Sequence, residues 1–184
     1  MKKLFLLLFL PYYSFSQCPV KGDSPTAKLQ HIDSLKNRKV QGTKPKAMDV
    51  SEFFCKCDDE NKYSPEQYVS VTGYIVGVKY GGSETCNCHS ANKKDLDFHI
   101  EVASSAKETD KKKMMVCEMT RYTQGKVAIK DVKALIGHSV SIEGNLFFDE
   151  EHKQNAENTS PKGTNLWRAT CWEVHPVFAI KKLN

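Results

Sequence analysis

His99 and Glu101 stand two residues apart, as do Glu173 and His175. Residues two apart on a β-strand point to the same face, so each pair would present an imidazole beside a carboxylate. With Asp149 and His152, these side chains supply enough oxygen and imidazole donors for a divalent metal. The competing role is structural: histidines outside a compact motif commonly hydrogen-bond neighbouring loops and would here brace the mouth of a barrel. No His-Glu-x-x-His, Gly-x-Ser-x-Gly or phosphate-loop pattern appears, so no cofactor is specified and no nucleophile sits beside a base. Asn158 and Arg168 complete the candidate ligand-binding set of His99, Glu101, Asp149, His152, Asn158, Arg168, Glu173 and His175.

These residues need strands to carry them. Residues 68–78 are rich in β-branched and aromatic types, with Val69 and Val71 in one phase before Gly73 and Tyr74, Val76 and Val78 in the other after it. A phase slip at a glycine predicts a bulge, which lets one strand coil and pair on both sides. Phe98, Ile100 and Val102 then alternate with Asp97, His99 and Glu101, predicting a strand with one core face and one polar face. Residues 114–119 form a third strand. Ala128, Val132, Leu135 and Ile136 share a helical face that stops at Gly137. A fourth strand covers 139–148 and a fifth 167–181, where Trp172, Val174, Phe178 and Ile180 share a phase and Pro176 implies a bulge or an unpaired edge. Three strands, a helix and two strands is the order of an OB-fold. The expected fold is therefore all-β, a five-stranded Greek-key barrel with one helix between strands three and four, plus an N-terminal arm. The expected organisation is a signal peptide over 1–16, a partly irregular arm over 17–66 and the barrel over 67–184.

The signal peptide is read from Lys2 and Lys3, the apolar run 4–10 and the small-x-small site Ser14-Phe15-Ser16. Export to the periplasm or outside the cell follows, with no later apolar run able to anchor the chain. Lipid attachment at Cys18 is disfavoured by Gln17 and Phe15, which stand where lipoprotein processing wants a small residue and a Leu-like one. The formal charge of +5 falls by two when Lys2 and Lys3 leave, and a mildly basic balance is no nucleic-acid signature. In the arm, Leu29, Ile32 and Leu35 have helical spacing and predict a short amphipathic element packing on the barrel. All seven cysteines lie beyond residue 16, in what should be an oxidising compartment. The matching spacings of Cys55/Cys57 and Cys86/Cys88 favour a disulfide between the two pairs over a four-cysteine zinc site, whose knuckles usually have wider spacing. Cys117 and Cys171 are read as buried thiols.

The runs Tyr80-Gly-Gly-Ser-Glu-Thr-Cys-Asn-Cys-His, Asp97-x-His99-Ile-Glu101, Phe148-Asp-x-x-His152, Ala156-Glu-Asn158 and Arg168-Ala-Thr-Cys-Trp-Glu-Val-His-Pro-Val177 resemble those of a family of uncharacterised secreted bacterial proteins. Members share an OB-fold-like barrel and a C-terminal Trp-Glu-[Ile/Val]-His-Pro-Val motif. The resemblance implies an exported barrel whose polar loop residues belong to the family pattern, and it implies no reaction.

In an OB barrel the loops after strands one and four flank the usual ligand face. Here they are 81–96 and 149–166. The expected function is an exported module that binds, without catalysis, a partner or ligand (a protein, a glycan or another polar molecule) through these two loops. Single-stranded nucleic-acid binding is disfavoured because the polar face of the second strand offers Asp97, His99 and Glu101 where that mode wants aromatics and Lys or Arg. A metal-dependent, nuclease-like hydrolase would draw on Glu101, Asp149, Glu173, Arg121 and Arg168. His99 is expected to lie within hydrogen-bonding reach, directly or through one water, of a residue between Asp149 and Asn158, pinning the second loop and offsetting the entropy of ordering a long polar segment.

Overall fold

The computed structural model describes residues 18–184 apart from 40, 41 and 126. The signal peptide expected over 1–16 and its cleavage site lie outside the described residues. The elements in chain order are α1 (Ala27–Lys36), β1 (Lys46–Asp49), β2 (Tyr68–Tyr80), β3 (Phe98–Ala103), β4 (Met115–Met119), α2 (Ile129–Lys133), β5 (Ser139–Phe148) and β6 (Trp172–Lys182).

Strands β2 to β6 close on themselves in the order β2-β3-β4-β6-β5-β2. Neighbours are antiparallel except at the short parallel contact of β4 with β6, where Cys117 lies opposite Val174. This is the closed five-stranded Greek-key barrel of an OB-fold. Closure depends on β2 serving two neighbours. Its first half, residues 68–74, pairs with β5, and its second half, 74–80, pairs with β3. The bulge that permits this lies between Ile75 and Gly77, not at Gly73. Ile75 stays buried in phase with Val69 and Val71, so the slip comes after it. Gly73 matters for a different reason. A Cβ there would sit 2.7 Å from Val102 Cγ1 and 2.9 Å from Val50 Cγ1, so its missing side chain lets the barrel wall close over the core.

The core is built from Val69, Val71, Ile75, Ile100, Val102, Met115, Cys117, Val140, Ile142, Leu146, Trp172 and Val174. In β6 the peptide before Pro176 is cis, and the pairing with β5 shifts register between Gly144 and Leu146. That shift places Val177 in the core and leaves Phe178 half-buried, where simple alternation had Phe178 inward. Helix α2 is one turn shorter at its end than the apolar spacing implied, because Leu135 and Ile136 continue it only as a turn.

The N-terminal segment is bound to the barrel by polar contacts more than by an apolar stripe. Helix α1 begins at Thr26, whose hydroxyl accepts from the Leu29 N–H. Its one buried residue is Asp33, which accepts hydrogen bonds from Ser24 at 2.6 Å and Thr85 at 3.0 Å. Leu29, Ile32 and Leu35 instead line a groove with Pro65, Phe147 and Phe148. Strand β1 extends the sheet by pairing parallel to β2, and Phe53 after it is fully buried against Tyr63.

The disulfides differ from the expected bridge between the two Cys-x-Cys pairs. Cys18 pairs with Cys88, and Cys55 pairs with Cys57. The reason is which part of the N-terminal segment meets the 81–96 loop. That loop docks on α1 and the chain before it: Asn37 Nδ2 donates to both Cys86 O and Val20 O, while the 55–57 turn packs on the other long loop through Asn158. Cys88, in a left-handed conformation at φ 52°, turns towards Cys18, and Cys86 remains a buried thiol beside Glu84. The Cys18 sulfur that lipid attachment would modify is thus the one used in the bridge. Cys117 and Cys171 are buried thiols.

Burial raises the pKa of all three free thiols, that of Cys171 to about 11, and the thiolate is the reactive form. Alkylating reagent at pH 8 should therefore leave the native protein unmodified. Denaturation should expose three thiols and subsequent reduction all seven cysteines. Mass spectrometry of the alkylated protein checks this, and rapid native labelling of Cys86 would contradict it.

Candidate functional site

The barrel brings the two long loops and three strands to one cleft of about 460 Å³. Tyr80, Gly81, Gly82 and Glu84 come from the first loop and its edge, His99, Glu118 and Glu173 from β3, β4 and β6, and Asp149, His152, Trp167 and Arg168 from the second loop. That loop runs on to residue 171, because β6 begins at Trp172 and not at the expected 167. Lys36 reaches it from α1.

At its centre Arg168, 1% exposed, donates through Nη1 to Asp149 Oδ2 at 3.1 Å and Glu173 Oε1 at 2.7 Å. The same Asp149 oxygen lies 2.5 Å from His152 Nδ1. Burial works to raise the Asp149 pKa, but the His152 hydrogen bond and the Arg168 charge outweigh it and hold the carboxyl well below the usual range. His152 stands edge-on to Trp167 with centroids 5.1 Å apart, and the Arg168 guanidinium lies 4.1 Å from the same indole. Lys36 Nζ pairs with Glu84 Oε2 at 2.9 Å. Burial opposes the charge on Lys36, yet Glu84, Cys86, Glu118 and Glu173 together raise its pKa.

Beneath this layer β3, β4 and β6 stack further ionisable groups. His99 faces Glu118 across the β3–β4 ladder, with Nε2 3.1 Å from Oε1. His175 Nδ1 lies 3.2 Å from Glu173 Oε2 and 3.5 Å from Glu118 Oε2, and its Nε2 lies 3.9 Å from Asp97 Oδ2. Burial is the largest cause of every shift here. It lowers His99 to about 4, raises Asp97 to about 6 and raises Glu118 far above a normal carboxyl, with neighbouring acids adding to the last two.

Six of the eight residues singled out in the sequence meet at or directly below the cleft: His99, Asp149, His152, Arg168, Glu173 and His175. Two do not. Glu101 pairs with Lys111 and, at 3.9 Å, with Lys79 in a separate depression on the far side of Trp167. The bulge after Ile75 puts Gly77 opposite Glu101, and the open space over that glycine takes the carboxylate. Lys111, from the segment between β3 and β4, is its partner. Asn158 is a brace: its amide donates to Phe53 O and Asp59 Oδ2 and accepts from the Lys56 N–H.

His99 makes no direct hydrogen bond to the second loop. Its Nε2 faces Glu118 Oε1 instead, because β-ladder register sets the two residues opposite each other. The loop is ordered by other polar anchors: Asp149 with Arg168 and His152, Asn158, and the Thr159 hydroxyl donating to Lys153 O. Sequence reading missed Lys36, Glu84 and Glu118 as site residues. Glu118 carried a signal, a single acid inside the apolar run Met-Met-Val-Cys-Glu-Met.

Residues 48–148 match the family model described as a domain of unknown function, DUF6359. The chain belongs to that family. The matched DUF6359 region holds Glu84, Asp97, His99 and Glu118, whereas Asp149, His152, Arg168, Glu173 and His175 follow it. Comparison with curated proteins yields no match. Among solved structures, the chain is similar to the OBody AM3L09 bound to hen egg-white lysozyme, at 14% identity with 77% of this chain and 98% of that chain covered and a TM-score of 0.37.

Proposed function

We propose that the protein is an exported binding module whose cleft takes a small, uncharged, polyhydroxylated ligand such as a saccharide unit. The observation that carries this reading is the convergence of both long loops on one cleft whose buried cations, Arg168 and Lys36, are already paired with carboxylates of the protein. Arg168 is shared by Asp149 and Glu173, and Glu84 is neutralised by Lys36. What the cleft offers is therefore an array of oriented donors and acceptors beside the half-buried Trp167, at a size usual for small-molecule sites.

The same pairing speaks against phosphate-rich ligands. Arg168 is buried between carboxylates, and Arg121 lies 3.3 Å from Asp95, so neither guanidinium is presented to a nucleic-acid backbone. That observation weighs against the nuclease and single-strand alternatives alike. Export is supported by two disulfides, bonds that persist in oxidising compartments. Among the described residues no helix is long and apolar enough to cross a membrane.

The test is an NMR titration of the mature protein with a panel of mono- and disaccharides, nucleotides and short oligonucleotides. Saccharides should shift resonances of Gly81, Gly82, His152 and Trp167, and Trp167→Ala should weaken their binding at least about tenfold, the loss of one aromatic contact of about 1–3 kcal/mol. Shifts confined to the α2 face of the barrel, or salt-sensitive oligonucleotide binding in the cleft, would replace this reading.

A further inference from the structure

We propose that Asp97, Glu118 and His175 form a binding site for one divalent first-row transition-metal ion under the floor of the cleft. One ligand atom from each lies within 4.8 Å of the other two. Two ligands on opposite sides of an ion are about 4.0–4.4 Å apart at bond lengths of about 2.0–2.2 Å, so small side-chain rotations gather the set. The backbone already holds it. Asp97 immediately precedes β3, Glu118 is on β4 and His175 on β6, and these three strands are consecutive neighbours in the barrel.

The second observation is the state of His175. It is 1% exposed, and its Nε2 faces Asp97 without any hydrogen-bond partner. Its Nδ1 is turned to Glu173 at 3.2 Å, with Glu118 Oε2 at 3.5 Å, and the other oxygen of Glu173 is held by Arg168. A carboxylate gripping one imidazole nitrogen while the other stays bare is how proteins orient a metal-binding histidine. Glu173 and Arg168 are then positioning residues.

Charge points the same way. Asp97, Glu118 and Glu173 crowd together with no lysine or arginine among the described residues within salt-bridge distance of the first two. A cation among them would offset the repulsion of the crowded carboxylates. Two carboxylates and one imidazole suit Zn²⁺ or Mn²⁺ better than Ca²⁺, which takes oxygen ligands alone. Glu118 also lines the cleft, leaving the ion open on that side to water or a cleft ligand. The site goes beyond the saccharide reading and stands whether or not an organic molecule occupies the cleft.

The experiment uses the mature chain, stripped with chelator and titrated with Zn²⁺ and with Mn²⁺ alone. Calorimetry and metal analysis should find a single ion retained per chain. Glu118→Gln and His175→Gln should each weaken it at least about tenfold, while Glu143→Gln, an acid on β5 bonded to Tyr68, should not. Should the two variants fail to fold, Mn²⁺ broadening in the wild-type NMR spectrum decides: it must centre on residues 97, 118 and 175. Failure to retain an ion, wild-type affinity in folded Glu118→Gln and His175→Gln, or broadening centred elsewhere overturns the proposal.

Discussion

Arg168→Met is expected to lower the unfolding free energy at pH 7 by about 3–5 kcal/mol, the usual cost of removing one partner from a buried ion pair. The guanidinium is shared by Asp149 and Glu173, both buried, and methionine leaves the two carboxylates in the interior without it. Denaturant titration measures the loss. Restoring part of it with Glu173→Gln in the same chain would show that unpaired charge, more than lost packing, is the cause. The variant should also titrate differently. Asp149 has a folded pKa below its unfolded value, so its contribution is complete above the unfolded pKa of about 4 and is lost as pH falls through the folded value. Wild-type protein should weaken along that limb, and Arg168→Met should weaken less, because only the His152 hydrogen bond then remains as a main cause of the Asp149 depression and the Arg168 charge is gone. Equal acid limbs and an unchanged midpoint would show that Arg168 does not organise the network.

Replacing both Cys18 and Cys88 with serine is expected to cost about 2–4 kcal/mol. The bridge spans 70 residues, so cutting it releases a long closed loop in the unfolded chain. It also fastens the segment before α1 to the 81–96 loop, and that junction positions Lys36 beside Glu84. Limited proteolysis should accordingly open the double variant around residues 19–37 before the barrel yields. The paired control is Cys55→Ser with Cys57→Ser: a bridge between residues two apart closes almost no loop, and its removal should cost far less. Similar losses in both double variants would contradict this account and point to contacts made by the sulfurs themselves.

Much of the barrel was legible because alternation is a local property of the backbone. Val69 and Val71, Phe98, Ile100 and Val102, and Val140 and Ile142 advertise their inner face two residues at a time, and these three runs, with the apolar run at 114–119, the last run around Trp172 and a helix after the third strand, leave few ways to close. The same rule put His99 beside Glu101 and Glu173 beside His175. It failed where pairing is irregular. The bulge after Ile75 carried Glu101 away from the cleft, and the register shift opposite Gly144 exchanged Phe178 for Val177. Gly73 and Pro176 signalled that these strands are irregular but not at which residue, since the place of a bulge is decided by how two strands meet.

By itself, then, the sequence determined the order of strands, the barrel they form and the two polar loops at its mouth. These follow from short-range periodicity and from turn residues that act within a few positions. Only the tertiary structure decided which charges share a site. Lys36 meets Glu84 across 48 residues, and Asp97, Glu118 and His175 converge from three strands. Cys88 takes Cys18 in place of either member of the 55–57 pair. Such contacts exist only once the barrel has closed and the N-terminal segment has docked. Their energies depend on burial, which holds an ordinary glutamate inside an apolar strand well above the usual carboxyl range.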